Sequence, residues 1–191
     1  MSDDPDGVFL LKRDATIADY EEARQEHRAQ IIDGDLWLFA PASGPHQVSS
    51  IELGSLLAPV RDPIDASGWV ILPDINLRLG SRDLFSPDFT GWRRSRMPVI
   101  PEATYFELAP DWVCEILSPS TRRFDLGKKR EVYAKAGVEH LWFIEPKIQT
   151  LSVYGLVGSG YQLIGSAQEN DQIALSPFLD LTLDLSKLWR R

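Results

Sequence analysis

The chain has 191 residues, 43% of them hydrophobic, which suits one globular domain with a sizeable core. The formal net charge of −8 argues against broad electrostatic binding of nucleic acid, although basic residues cluster in residues 93–96 and 122–135. A single cysteine excludes an intramolecular disulfide. With only three histidines and one cysteine, a zinc site of the Cys/His type is nearly excluded. With no secretory signal and no apolar run of about 18 residues, we expect a cytoplasmic protein without a membrane span.

The N-terminal third predicts a tail followed by two helices that enclose a hairpin. We expect residues 1–15 to be a flexible tail, and apolar spacing over residues 16–29 predicts a helix with Thr16 as its N-cap. The Asp33–Gly34 pair lies between two apolar runs, which predicts a tight turn between two strands. Residues 46–60 place their apolar side chains on one face and predict a second helix.

The rest of the chain predicts a mixed sheet with two further helices. Short apolar runs predict strands near residues 29–32, 35–40, 68–80, 83–92, 111–117, 138–146, 150–157, 160–166 and 172–175. Residues 124–137 have helical spacing, with Asp125 as the N-cap and Gly137 just past the end, and residues 185–189 predict a short terminal helix. Because helices and strands do not alternate regularly, we expect residues 16–191 to form a single mixed α/β domain.

Three side chains offer chemistry for phosphodiester hydrolysis: Asp88 in "SPDFTGW", Glu115 in "CEIL" and Lys129 in "GKKREVY". Two carboxylates from adjacent strands can bind one Mg²⁺, with the backbone carbonyl of Ile116 and water as further ligands. Such an ion polarises a phosphate and helps to ionise a bound water. If the helix after Glu115 folds back, the Lys129 ammonium can position that water and stabilise negative charge.

Each of these residues also has an ordinary structural explanation. An Asp after Pro is most often a turn or cap residue, a Glu in an apolar strand often forms an ion pair, and a Lys in "KKR" usually lies on a solvated helix face. His46 is most simply a residue at a helix start, with a role in the site as the less favoured alternative. Cys114 is more simply a core residue than a nucleophile, and Trp112, Trp142 and Phe143 are more simply core residues than base-stacking platforms.

The stretch "PDWVCEILSPSTRRFDLGKKREVYAKAGVEHLWFIEP" closely resembles the signature of the Uma-two family. The resemblance spans about residues 17–189, through "IIDGDLWLFAPASGPHQ" and "SPDFTGW" upstream and "LSVYGL", "GYQL" and "LDLSKLW" downstream. It implies a restriction-endonuclease-like PD-(D/E)XK fold of the α+β type, a mixed β-sheet flanked by α-helices. It also implies a metal-dependent endonuclease acting on nucleic acid, DNA before RNA, with Mg²⁺ or Mn²⁺ as cofactor, and a homodimer.

The resemblance also assigns residue roles. The acid after Pro falls on Asp88 and the acid of the "EILSPS" strand falls on Glu115, and both are expected to bind the metal. The lysine that usually stands two residues after the second acid is absent, because Leu117 is there. The resemblance implies that the following helix supplies it as Lys129, with Lys128 as the weaker candidate.

One residue departs from the family pattern. Family members often carry a Glu two residues before the "IDG" hairpin, where this chain has Gln30, which keeps an oxygen donor but loses the charge. Gln30 and the net charge favour one alternative, a catalytically impaired member that binds nucleic acid or protein. A second alternative is a structural or assembly protein, which a large apolar dimer face without an acidic pocket would favour. For a nuclease, the candidate phosphate contacts are Arg93, Arg94, Arg122 and Arg123.

Overall fold

The computed structural model describes residues 7–61 and 67–190, which contain two main β-sheets and the helices beside them. The strands are β1 Val8–Lys12, β2 Arg28–Ile32, β3 Asp35–Phe39, β4 Trp69–Pro73, β5 Leu77–Arg78, β6 Leu84–Phe85, β7 Phe89–Arg93, β8 Trp112–Ile116, β9 His140–Glu145, β10 Thr150–Val157, β11 Gly160–Gln168, β12 Gln172–Leu175 and β13 Phe178–Asp184. The helical elements are α1 Ile17–Ala23, α2 Gly44–Leu56, α3 Arg122–Phe124, a π-helical segment Asp125–Lys129, α4 Arg130–Ala136, and 3₁₀ turns Ala58–Val60 and Leu185–Trp189.

The larger sheet is mixed, as the sequence predicts. Its strand order is β11-β10-β9-β8-β7-β4, in which β8 and β9 are parallel and the other neighbours antiparallel. A parallel pair needs a crossover, and the helical stretch from α3 to α4 provides it. The second sheet has the antiparallel order β1-β3-β2-β6-β5, and β12 pairs with β13.

The N-terminal segment corrects one prediction. Residues Val8–Lys12 form β1, which pairs with β3, so the predicted flexible tail is wrong for this part of the chain. Val8 lies opposite Phe39 and is only 2% exposed, because its side chain joins the apolar core. Residues 1–6 of the predicted tail lie outside the described residues.

The predicted hairpin and first helix are both present. β2 and β3 meet at Asp33 and Gly34, whose φ angles of 55° and 84° fit a two-residue turn with both central residues left-handed. Thr16 caps α1 through a reciprocal capping box with Asp19. The helix is shorter than predicted, because from Arg28 onward the chain pairs with β3 as a strand.

The second helix begins earlier than the sequence suggested. Ser43 is its N-cap, accepting the His46 N–H at 3.5 Å, so α2 starts at Gly44 rather than at His46. The helix ends at Leu56, and the prolyl turn Ala58–Val60 replaces its predicted last turn.

Two predicted strands are each divided between the two sheets. The predicted strand at residues 68–80 contains β4 and β5, which separate after Pro73, where a bend was expected. The predicted strand at residues 83–92 contains β6 and β7, likewise in different sheets. The sequence pattern did not predict strand β13. The predicted terminal helix at residues 185–189 is present as a 3₁₀ turn.

The crossover helix corrects another prediction. It begins at Arg122 after Thr121, so Asp125 is not its N-cap but a buried residue within the π-helical segment. Its end is as predicted, since Gly137 adopts the left-handed conformation at φ 78°.

Strand β8 separates two apolar cores and so positions the site. Trp112, Cys114 and Ile116 face a core shared with α2, while Val113 and Leu117 face a core shared with α4 and the second sheet. Because side chains alternate along a strand, Glu115 points to the second of these sides. The predicted core roles of Cys114 and of the nearby aromatic residues are confirmed by their burial: Trp112, Trp142 and Phe143. Within the described ranges, no helix is both long and apolar enough to cross a membrane.

Candidate active site

The two candidate metal ligands lie opposite each other on adjacent strands. β7 and β8 are antiparallel with Phe89 opposite Cys114, so extending the register by one residue sets Asp88 opposite Glu115. Directly opposed residues share a sheet face, with Cβ atoms about 4.5–5.5 Å apart. The fold therefore brings the predicted carboxylates to the same end of two neighbouring strands of the larger sheet, where β7 begins and β8 ends.

Glu115 is almost fully buried and accepts hydrogen bonds from two side chains. Its Oε1 accepts from Lys129 Nζ at 3.3 Å and from the Tyr133 hydroxyl at 2.5 Å, and the residue is 1% exposed. Burial raises the pKa of Glu115 to about 8, although the Lys129 charge opposes that rise. The carboxyl group therefore titrates near neutral pH, as site carboxylates often do.

Lys129 is a buried cation rather than a residue on a solvated helix face. It is 1% exposed, and its Nζ lies 2.9 Å from Asp125 Oδ1 as well as near Glu115. Burial by itself lowers the pKa of Lys129, but the charges of Asp125 and Glu115 outweigh it and raise the pKa above its ordinary value. Lys129 thus stays protonated at neutral pH and serves as a fixed positive charge, not as a base.

Asp88 has partners from three parts of the chain, so it is not a simple turn residue. Its Oδ2 accepts the Ile116 N–H at 2.7 Å. Its Oδ1 lies 3.0 Å from His46 Nε2 and 3.7 Å from Arg28 Nη2. These contacts fix the carboxylate and leave Oδ1 on the side of the two basic residues.

Gln30, where this chain departs from the family pattern, is buried on β2. It is 1% exposed, and neither polar atom of its amide has a hydrogen-bond partner among the described residues. Along β2, Arg28 and Ile32 share its sheet face; Arg28 approaches Asp88, and Ile32 packs in the core that contains Tyr133. An unpartnered buried polar group costs about 1–3 kcal/mol, so the Gln30 amide destabilises the fold unless a ligand or water satisfies it.

Sequence reasoning missed several residues that the fold brings to this region. They are Arg28 and His46 at Asp88, Tyr133 at Glu115, Asp125 at Lys129, and Asp74, whose N–H donates to the Asp88 carbonyl at 3.3 Å. The sequence does place Tyr133 one helical turn after Lys129, a spacing that predicts a shared helix face. For the contacts of His46 and Arg28 with Asp88 the chain offers no such signal, since tertiary packing brings them together.

The candidate phosphate-binding arginines divide into two pairs. Arg93 ends β7, about 17 Å along the strand from Asp88, and lies over the Trp69 ring. Arg94 follows it, so both lie at the wrong end of the sheet for the site. Arg122 and Arg123 begin the crossover helix, beside the end of β8; Arg122 pairs with Glu145 at 2.8 Å.

The donor set suits a hard divalent cation with few protein ligands. Within the described residues, no group of three or more His, Cys, Asp and Glu side chains is placed to hold a metal. Two opposed carboxylates and a backbone carbonyl nevertheless match Mg²⁺, which keeps several waters and often has one or two carboxylate ligands.

The sequence matches one known family. The sequence model of the Uma2 family, described as "Putative restriction endonuclease", matches residues 16–186. The chain belongs to the Uma2 family. The predicted family and the restriction-endonuclease-like α+β fold are both confirmed.

A solved structure shares the Uma2 fold. It is a crystal structure of "a putative nuclease belonging to DUF820" from Anabaena variabilis ATCC 29413. The two chains are 24% identical and align with a TM-score of 0.68 over 84% of this chain and 89% of the other. At this identity the likeness supports the fold, not a shared substrate. Comparison with curated proteins gives no match.

Proposed function

We propose that this Uma2 protein is a metal-dependent endonuclease that hydrolyses phosphodiester bonds in nucleic acid, with DNA preferred to RNA. One observation carries the proposal. The Nζ atom of the buried Lys129 lies 3.3 Å from Glu115 Oε1, at the end of β8 where Asp88 lies opposite Glu115. Carboxylates and a fixed cation on one sheet edge are the groups that phosphodiester hydrolysis needs. The family description supports the reaction class.

In this proposal Asp88 holds Mg²⁺ or Mn²⁺ directly and Glu115 holds it through a bound water, with the Ile116 carbonyl as a further ligand. When bound, the ion supplies a Lewis acid and a water of lowered pKa. Asp88 is prepared for this role because the Ile116 N–H already fixes its second oxygen. Glu115 must be ionised to bind, and a neighbouring cation promotes that ionisation.

Lys129 supplies positive charge beside the scissile phosphate. Its ammonium orients the attacking water and stabilises the negative charge that develops on the phosphate oxygens. Asp125 holds the ammonium in place at 2.9 Å. Because Lys129 remains protonated, it cannot take the proton of the attacking water, which passes to solvent water.

A second candidate function rests on Gln30. Its neutral amide stands where family members often have a carboxylate, which favours a catalytically impaired member that still binds nucleic acid or a protein. Weak metal binding, rather than an altered fold, would be the cause. The homodimer and the cytoplasmic location remain predictions.

The test is a Mg²⁺ and Mn²⁺ titration with DNA and RNA substrates, comparing the wild type with Glu115→Gln. We expect metal-dependent cleavage in the wild type and its loss in the variant. Glu107→Gln is the matched control, because Glu107 is exposed and pairs with Arg78. Equal residual activity in wild type and Glu115→Gln would remove the basis of the nuclease proposal, while metal-independent binding of nucleic acid without cleavage would favour the second candidate.

A further inference from the structure

His46 makes the closest side-chain contact to the candidate metal ligand Asp88. The histidine stands in the first turn of α2, and its Nε2 lies 3.0 Å from Asp88 Oδ1. Both side chains are more than nine-tenths buried, with exposures of 7% and 9%. The other ring nitrogen, Nδ1, is also buried and has no hydrogen-bond partner in the described part of the chain. The ring is therefore held at Asp88 by packing and by the Nε2 contact itself.

The His46–Asp88 distance fits two ligands of one ion as well as it fits a hydrogen bond. Ligands at about 2.1 Å from an octahedral cation lie about 3.0 Å apart when they occupy adjacent positions. Asp88 Oδ2 is engaged by the Ile116 N–H, so Oδ1, the atom that faces His46, is the one available to an ion. Arg28 also faces Oδ1, but at 3.7 Å and with 29% of its side chain exposed, so an incoming cation can displace it.

We propose that His46 Nε2 binds the same divalent ion as Asp88 Oδ1, and that this nitrogen ligand makes the site prefer Mn²⁺ to Mg²⁺. The inference rests on the proposed metal-dependent function and adds a ligand to it. Imidazole nitrogen binds transition metals well, whereas Mg²⁺ strongly favours oxygen ligands. The ring binds as neutral imidazole, with its proton on Nδ1.

The ligand set is otherwise open. Within the described residues no third His, Cys, Asp or Glu side chain converges on this pair to complete a cage. The remaining positions therefore belong to backbone carbonyl, to water-mediated contacts with Glu115, and to a phosphate oxygen. An open coordination sphere of this kind is what a hydrolytic metal site needs.

The experiment is pulsed electron paramagnetic resonance of Mn²⁺ bound to the untagged full chain. Wild type prepared with ordinary histidine should show ¹⁴N modulation of the Mn²⁺ echo, and protein prepared with ¹⁵N-histidine should lose that pattern. His46→Gln should lose the ¹⁴N modulation and bind Mn²⁺ about tenfold or more weakly, with a smaller loss for Mg²⁺. His140→Gln is the control, because His140 starts β9, beside Trp112 at the other end of β8, and should retain the wild-type signal.

The outcomes separate this inference from the proposed function. Mn²⁺ binding that Asp88→Asn abolishes, but without histidine ¹⁴N modulation, would overturn the His46 ligand and leave the metal site standing. Mn²⁺ binding that is absent, or unchanged in Asp88→Asn, would overturn the metal site itself and with it this inference. If His46→Gln does not fold, the isotope comparison within the wild type decides the matter.

Discussion

At the scale of single residues, the candidate site is a compensated group of buried charges. Glu115, Lys129 and Asp125 are each about 1% exposed, which is tolerated only because each charge faces an opposite one. The Tyr133 hydroxyl adds a hydrogen bond to the same Glu115 oxygen. Removing Lys129 leaves the Asp125 and Glu115 carboxyl groups without their shared cation, so stability and activity are coupled at this residue.

Lys129→Met is expected to abolish cleavage and lower the free energy of unfolding by about 3–5 kcal/mol, since it leaves two buried carboxylates without their cation. Urea unfolding and a cleavage assay measure the two effects. Lys128→Met is the matched control, because the neighbouring Lys128 is 54% exposed and should change neither quantity measurably. Equal effects in the two variants would contradict the assignment of the catalytic cation to Lys129.

Glu115 also predicts a pH dependence of stability in the metal-free protein. Its pKa rises from 4.5 to about 8 on folding, so between these values the folded chain holds a proton that the unfolded chain releases. Through this group the free energy of unfolding falls as pH rises from about 4.5 to about 8. Unfolding with chelator present should show a shallower fall for Glu115→Gln than for the wild type. An unchanged slope in that variant would contradict the raised pKa.

At the scale of elements, the crossover helix and the strand before it create the site. β8 ends at Ile116, the chain turns, and the helix returns Lys129 to the strand end. The π-helical segment Asp125–Lys129 interrupts the α-helical register at this point, and such segments are frequent at functional sites. Sequence periodicity predicted the helix but not this change of register, because one π turn leaves the apolar pattern nearly intact.

Deleting Gly127 is expected to convert the π-helical segment to α-helix and to move Asp125 from i,i+4 to i,i+3 relative to Lys129. Cleavage should fall to the level of Lys129→Met, while the far-ultraviolet circular dichroism spectrum stays that of a folded protein. Gly127→Ala keeps the register and meets no heavy atom within 4 Å, so it should retain wild-type activity. An active deletion variant would show that the π-helical register is not needed.

At the scale of the whole molecule, the acidic chain presents its basic residues unevenly around the site. The net charge of −8 argued against broad nucleic-acid binding, yet Arg122 and Arg123 lie at the site end of the larger sheet. The other arginine pair, Arg93 and Arg94, lies at the opposite end. Any nucleic acid is therefore expected to contact a local basic edge rather than the whole surface.

Nucleic-acid binding tests this division of the arginines. In an inactive Glu115→Gln background, Arg122→Ala with Arg123→Ala should weaken DNA binding and reduce the slope of log affinity against log salt by about 1–2. Arg93→Ala with Arg94→Ala should leave both unchanged. Fluorescence anisotropy over a salt series measures the slopes, and a larger effect from the second pair would place the nucleic acid at the other end of the sheet.

The sequence by itself determined the features that short stretches encode. The turn at Asp33–Gly34, the cap at Thr16 and the end at Gly137 depend on local backbone preferences, so the structure matches them. The family motif likewise pointed to Glu115 and Lys129, which the fold joins at 3.3 Å. The single-domain prediction for residues 16–191 stays untested.

Only the tertiary structure decided which distant side chains meet at the site. His46 faces Asp88 because α2 packs against β8, and no spacing in the chain encodes that contact. The same holds for Arg28 and for the buried, unpartnered Gln30. Local preferences are properties of neighbouring residues and can be read from the sequence, whereas these contacts depend on how sheets and helices pack, which the sequence specifies only as a whole.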